Sequence, residues 1–159
     1  MKKMKQPIEL PPCGNPKVPV AEHPFYHSQE LQMRFNDIDM VGHLNNAIYL
    51  QFMDLGKATY FREAIQDRVD WHNVPVVIVN VNCNFYSPSY LDENLVCLTA
   101  TTRISERSIR LHQRIVNKET GDVKCDATCV MAGFDAKTAK GAPIDPIWAQ
   151  AIREFEGLE

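Results

Sequence analysis

NAIYLQFMDLGKATYFREAI, residues 46–65, is the stretch on which the fold turns. Ile48, Phe52, Leu55 and Thr59 recur at helical spacing, and Tyr49, Met53 and Tyr60 widen their stripe. A helix this apolar on several sides belongs inside a domain. Gly56 costs such a helix about 1 kcal/mol against alanine, so another element is expected to approach closely there. From residue 76 the period changes to two. In VVIVNVNCNFY, Val77, Val79, Val81, Cys83 and Phe85 share one face, and Asn80, Asn82 and Asn84 share the other. Further strands are expected over 94–104, 107–117 and 122–135, with links short enough for antiparallel hairpins. Upstream, 26–36 alternates with Leu31, Met33 and Phe35 on one side. Downstream, a last helix is expected from Asp145 to Glu156 with Pro146 at its first position. A strand, a long buried helix and four strands in a row predict an α+β fold in which one curved antiparallel sheet wraps a helix. Strand 76–86 would carry an exposed edge that a second copy can cover.

The 159 residues suit one domain, and 45% hydrophobic with 23% charged residues is an ordinary globular balance. A net charge of −3 supplies no global field for nucleic acid or a membrane surface. Five cysteines without a CxxC pair read as reduced, mostly buried thiols. Pro7, Pro11, Pro12, Pro16, Pro19 and Pro24 make residues 1–24 an extended arm, lying over its own domain or a neighbouring subunit, and residues 25–159 the single domain. The start MKKMKQPIELPP lacks the apolar core of a signal peptide, and no run approaches a membrane span. A cytoplasmic protein is expected.

Just ahead of the helix, RFNDIDMVGHLNNAIY (34–49) crowds two aspartates, a glycine, a histidine and three asparagines into one short stretch. A calcium loop starting at Asp37 would need ligands at Val41 and Ile48, which have none to give. His43 has no second histidine three or four residues away, so a transition-metal site fails too. Turn and cap chemistry accounts for Gly42, at positive φ, and for Asn45 or Asn46. A catalytic reading uses the helix start itself. Its first N–H groups have no intrahelical partner and can polarise a carbonyl. A carboxylate just before the helix can attack that carbonyl or activate water, and Asp39 lies seven residues before Asn46. Such chemistry needs no cofactor. No GxSxG, GxGxxG or Walker pattern offers another route.

These residues closely resemble the signature of the hotdog-fold acyl-CoA thioesterases of the 4-hydroxybenzoyl-CoA thioesterase family. The resemblance rests on the acidic pair followed by GHLNNAIY, and on VVIVNVNCNFYSPSYLDENL, and spans roughly residues 27–137. It implies a five-stranded antiparallel sheet around a long central helix, an acyl-CoA substrate, and a homodimer or dimer-of-dimers tetramer with sites at the subunit interface. By position it implies Asp39 as the catalytic carboxylate and the Asn46 amide as the carbonyl donor, with His43 and Asn45 lining the site. The turn RISERSIRL matches the family's nucleotide-binding step at Arg107-Ser108, with Arg103 and Arg110 as further phosphate candidates. Asp54, on the helix, is expected to make a surface or interface contact. Rival readings are hydrolysis of acyl-carrier-protein thioesters and non-catalytic binding of acyl-CoA.

Overall fold

The computed structural model describes residues 5–159, so the first four residues of the expected arm lie outside the described residues. The central helix α1 (Asn46–Ile65) begins where the Asn45 side chain accepts from the Ala47 N–H at 2.9 Å. Its buried face carries Tyr49, Phe52, Met53, Gly56, Tyr60, Phe61, Ala64 and Ile65, whereas Leu55 is exposed. The stripe is therefore rotated away from the expected one, and Gly56 explains why. A Cβ at this position would lie 2.6 Å from the Cys97 Sγ, so only glycine lets the helix approach the sheet this closely. Burial pushes the Cys97 thiol up to about 12, and all five cysteines are free.

The strands are β1 (His27–Leu31), β2 (Val76–Phe85), β3 (Leu95–Ile104), β4 (Ser108–Asn117) and β5 (Val123–Asp135). They pair antiparallel in the order β1-β3-β4-β5-β2, and a two-residue β6 (Lys140–Gly141) extends the end of β5. A curled sheet on one long helix is the hotdog architecture that the resemblance implied. The closing helix α2 (Pro146–Glu156) is capped by Asp145, whose Oδ1 accepts from the Ile147 N–H at 2.8 Å.

Two expectations need correction. The first strand ends at Leu31; Phe35 is exposed in a short 3-10 turn, Phe35–Asp37. That turn forms because the Asp37 carboxylate accepts from the Arg34 N–H at 2.9 Å, which folds the chain out of the extended state. In β2 the strict alternation is interrupted by a bulge between Ile78 and Asn80, and residues of both faces are exposed. β2 is a sheet edge, with no strand among the described residues beside it on the outer side.

Apolar packing divides between the two faces of the sheet. Facing α1, one cluster joins Leu44, Tyr49, Phe52 and Met53 to Leu95, Cys97, Ile115 and Cys125. A second joins Tyr60, Phe61 and Ile65 to Ile109, Leu111, Trp148 and Ile152. On the outer face, Val18 and Phe25 pack with Val96, Leu98, Ala100, Val116 and Val123. The proline-rich segment thus lies over its own sheet, which explains why β3 is buried on both sides and reads LVCLTA.

Candidate active site

A short closed loop places Asp39 at the mouth of α1. Ile38 and Leu44 form an isolated antiparallel bridge, the Asp39 N–H donates to the His43 carbonyl at 3.0 Å, and the Gly42 N–H donates to the Asp39 carbonyl at 3.0 Å. Gly42 adopts φ +83°, a left-handed turn that glycine enters without steric cost. The Asp39 Oδ1 accepts from the Val41 N–H at 2.9 Å. Its second carboxylate oxygen has no partner among the described residues, and the side chain is exposed.

The other acid of the pair is spent on structure. Asp37 is buried and takes the Arg34 guanidinium on Oδ1 at 2.9 Å. The hydrogen bonds from Arg34 hold its carboxyl below the ordinary range, despite burial. That stabilisation is complete above an ordinary aspartate pKa of about 3.9 and fades as the pH falls through the lower folded value. The Asp37 carbonyl also accepts from the Asn45 N–H at 2.9 Å, tying the loop to the helix start.

At that start, Asn45 is a cap. Its side chain takes the Ala47 N–H and its carbonyl the Ile48 N–H, each at 2.9 Å. No acceptor among the described residues engages the Asn46 N–H, which points the positive end of the helix dipole outward. The half-buried His43 ring makes no hydrogen bond to Asp39 among the described residues. Instead it meets Tyr90 edge-on, with centroids 5.3 Å apart.

Tyr90 belongs to a bracket that sequence patterning missed, the loop 86–94 between β2 and β3. Ser89, fully buried, accepts the Leu44 N–H on its carbonyl at 2.9 Å and pairs its hydroxyl with that of Tyr49 at 2.7 Å. Burial holds the Tyr49 phenol above its usual range, so it stays a neutral hydroxyl. The loop is anchored in turn by buried Lys124, whose Nζ reaches Glu93 at 2.6 Å, Asp122 at 3.0 Å and the Pro88 carbonyl at 3.0 Å. The SPSY tetrapeptide was the available signal, since its proline marks a fixed turn. Ser89→Ala leaves the Tyr49 hydroxyl without its partner; a loss of about 1–3 kcal/mol in denaturant-measured stability is expected.

The sheet wrapped on one long helix has counterparts among known proteins. The model of the thioesterase-like superfamily matches residues 33–152. The chain belongs to that superfamily. The long-chain acyl-CoA thioesterase FadM of Escherichia coli (strain K12) is 29% identical over 119 residues, 73% of this chain and 89% of that protein. A Thermus thermophilus thioesterase solved with coenzyme A and zinc aligns with a TM-score of 0.73 at 22% identity, covering 83% of this chain and 95% of that one. A mutant 4-hydroxybenzoyl-CoA thioesterase solved with 4-hydroxybenzoyl-CoA aligns with a TM-score of 0.68 at 16% identity, covering 79% and 97%. At these identities the two structures show a shared fold.

This member of the thioesterase-like superfamily separates Arg107 from Ser108. Ser108, Ser105, Arg103, Arg110 and Val130 line a depression of about 240 Å³ at the β3–β4 tip, and Arg107 is not part of it. The Arg107 carbonyl accepts from the Gly133 N–H at 2.9 Å, and its guanidinium lies beside Gly141. Arg103 and Arg110 are direct cross-strand partners, and neither has a carboxylate partner among the described residues. Two like charges opposite one another on a sheet repel, a cost that a bound anion would reverse.

Proposed function

We propose that this protein is an acyl-CoA thioesterase that hydrolyses its substrate to a free acid and coenzyme A. One observation carries the reading: a solvent-facing carboxylate, Asp39, stands at the mouth of a helix whose Asn46 N–H has no acceptor among the described residues. The thioester carbonyl would accept from that N–H, and negative charge developing on its oxygen would be stabilised there. Asp39 would take a proton from a water that attacks the carbonyl carbon, or attack that carbon itself. The C–S bond then breaks, and the coenzyme A thiolate leaves and takes up a proton. The water route gives the free acid directly, whereas direct attack leaves the acyl group on Asp39 as an anhydride, which water then cleaves to release the acid and restore the carboxylate. Asn45 would serve by capping the helix that presents the amide, and His43 with Tyr90 by lining the approach.

The coenzyme A phosphates would sit on Arg103 and Arg110 with Ser105 and Ser108. A double Arg103→Ala, Arg110→Ala variant is expected to raise KM about ten- to a hundredfold with kcat little changed. Equal loss in kcat would remove the phosphates from this depression. The exposed β2 edge supports a homodimer formed by strand pairing, with the site completed at the interface. No helix among the described residues is long and apolar enough to cross a membrane.

The deciding experiment follows released thiol across short, medium, long and aromatic acyl-CoA esters. Turnover of at least one class is expected. Tight binding throughout without thiol release would favour a non-catalytic acyl-CoA carrier, and turnover of acyl-carrier-protein esters alone would name a different substrate.

A further inference from the structure

The outer face of the sheet carries a cluster that the proposed chemistry does not use. The segment from Ile8 to Phe25 crosses this face, closed on itself where the Ile8 N–H donates to the Phe25 carbonyl at 2.7 Å. It packs so closely that a Cβ on Gly121 would meet the Pro11 carbonyl oxygen at 2.0 Å. Near the end of the segment, His23 Nδ1 lies 3.1 Å from the Pro24 carbonyl oxygen, and His23 Nε2 lies 2.7 Å from His112 Nδ1 on β4. His112 Nε2 is 2.6 Å from Asp126 Oδ2 on β5. Arg114 donates Nε to that same oxygen at 2.5 Å and Nη2 to the Pro19 carbonyl. Both imidazoles pack against Phe25, at 4.9 and 5.2 Å between centroids.

The ends of this chain of rings fix its protons. A carbonyl and a carboxylate can only accept, so His23 Nδ1 and His112 Nε2 each carry hydrogen. Between the two remaining nitrogens, 2.7 Å apart, there is room for one proton. With none, two lone pairs face each other; with two, N–H faces N–H. The pair therefore holds three protons and one positive charge. Hydrogen bonds from His112 and Arg114 outweigh burial and hold the Asp126 carboxyl below its ordinary range, so it remains the anion between them. Two further charges lie nearby: Arg110, the next outward residue of β4, adds to the cationic side, while Glu22 on the segment is exposed to solvent.

We propose that the His23–His112 pair is an acid-released latch, which fastens the N-terminal segment to the sheet while it carries one charge and frees it when His23 takes a second proton. Freeing the segment uncovers the apolar strip of Val96, Leu98, Ala100, Val116 and Val123. The direction follows from linkage. Burial, together with the charges of His112 and Arg114, outweighs the Pro24 hydrogen bond and lowers the latched His23 pKa below the ordinary histidine value. A released His23 takes up a proton below about 6.5 that the latched ring resists, so the latch weakens as the pH falls below that value, up to about tenfold per pH unit for one proton.

The test is hydrogen exchange on the full chain at pH 7.5 and 5.0, corrected for intrinsic rates. In the wild type, protection of the Ile8 and Val18 amides is expected to fall at pH 5.0, by up to about thirtyfold for one proton, while β4 amides hold. In His23→Gln, which can accept from His112 but takes no proton, protection is expected to be the same at both values. An unchanged wild type, or an equal fall in His23→Gln, overturns the latch. Side-chain ¹⁵N spectra at pH 7.5 give a second reading: three protonated ring nitrogens on the pair are expected, and two would overturn the proton count.

Discussion

Asp39→Asn is expected to lower kcat for acyl-CoA hydrolysis by about a thousandfold, with the melting temperature and coenzyme A affinity close to wild type. The substitution is nearly isosteric. Asparagine keeps an Oδ1 to accept the Val41 N–H, so the 39–43 loop has no reason to open. What is lost is the negative charge, and with it both the nucleophile and the base. Asp37→Asn serves as the opposite control. It removes the charge that Arg34 pairs with in a buried position, and is expected to cost about 1.5–3 kcal/mol of stability while kcat per folded molecule persists. A folded Asp39→Asn protein with near-normal turnover would end the proposed mechanism. If activity instead followed Asp37, the roles of the two acids would be reversed.

Asp37 is buried against Arg34 while Asp39, two residues on, is exposed, a difference that spacing along the chain does not carry. The boundaries of α1 were legible because apolar spacing and a capping asparagine agree at one end of the helix. Strands β3, β4 and β5 were legible from alternation punctuated by short polar links. Gly42 was legible because a turn into a helix needs positive φ. The roles that depend on partners distant in sequence were not. Ser89 meets Tyr49 forty residues away, and nothing in the spacing of either announces the other. Arg110 faces Arg103 only through the β3–β4 register, which a bulge shifts between Thr101 and Arg103. The resemblance pointed to Arg107 and Ser108, with Arg103 and Arg110 as further candidates, and gave no sign that the Arg107 side chain leaves toward Gly141. The N-terminal segment was correctly read as irregular, yet its resting place depends on an apolar outer face that β3 and β4 create only once paired.

The second large effect is expected at the sheet edge. β2 offers a row of unpaired backbone groups and exposed Ile78, Val79, Val81 and Phe85, with Val79 60% exposed in a strand that is otherwise well hydrogen-bonded to β5. A monomer gains nothing from apolar side chains there, and an uncovered edge of this kind invites uncontrolled pairing. Exposed Met40 and Val41, beside Asp39 in the 39–43 loop, make the same argument for the surroundings of the proposed site. Introducing Val79→Lys together with Val81→Lys puts two lysines on each protomer's edge and four in a paired dimer. The double change is expected to weaken assembly by about a hundredfold or more, visible as a shift to monomer in sedimentation at micromolar concentration. Folding should be unaffected, because neither side chain contributes to a buried cluster. If the site is completed by the partner, thiol release should fall in step with the dimer fraction and recover at high protein concentration. Full activity in a proven monomer would place the whole site within one chain, and an unchanged dimer would move the interface away from β2.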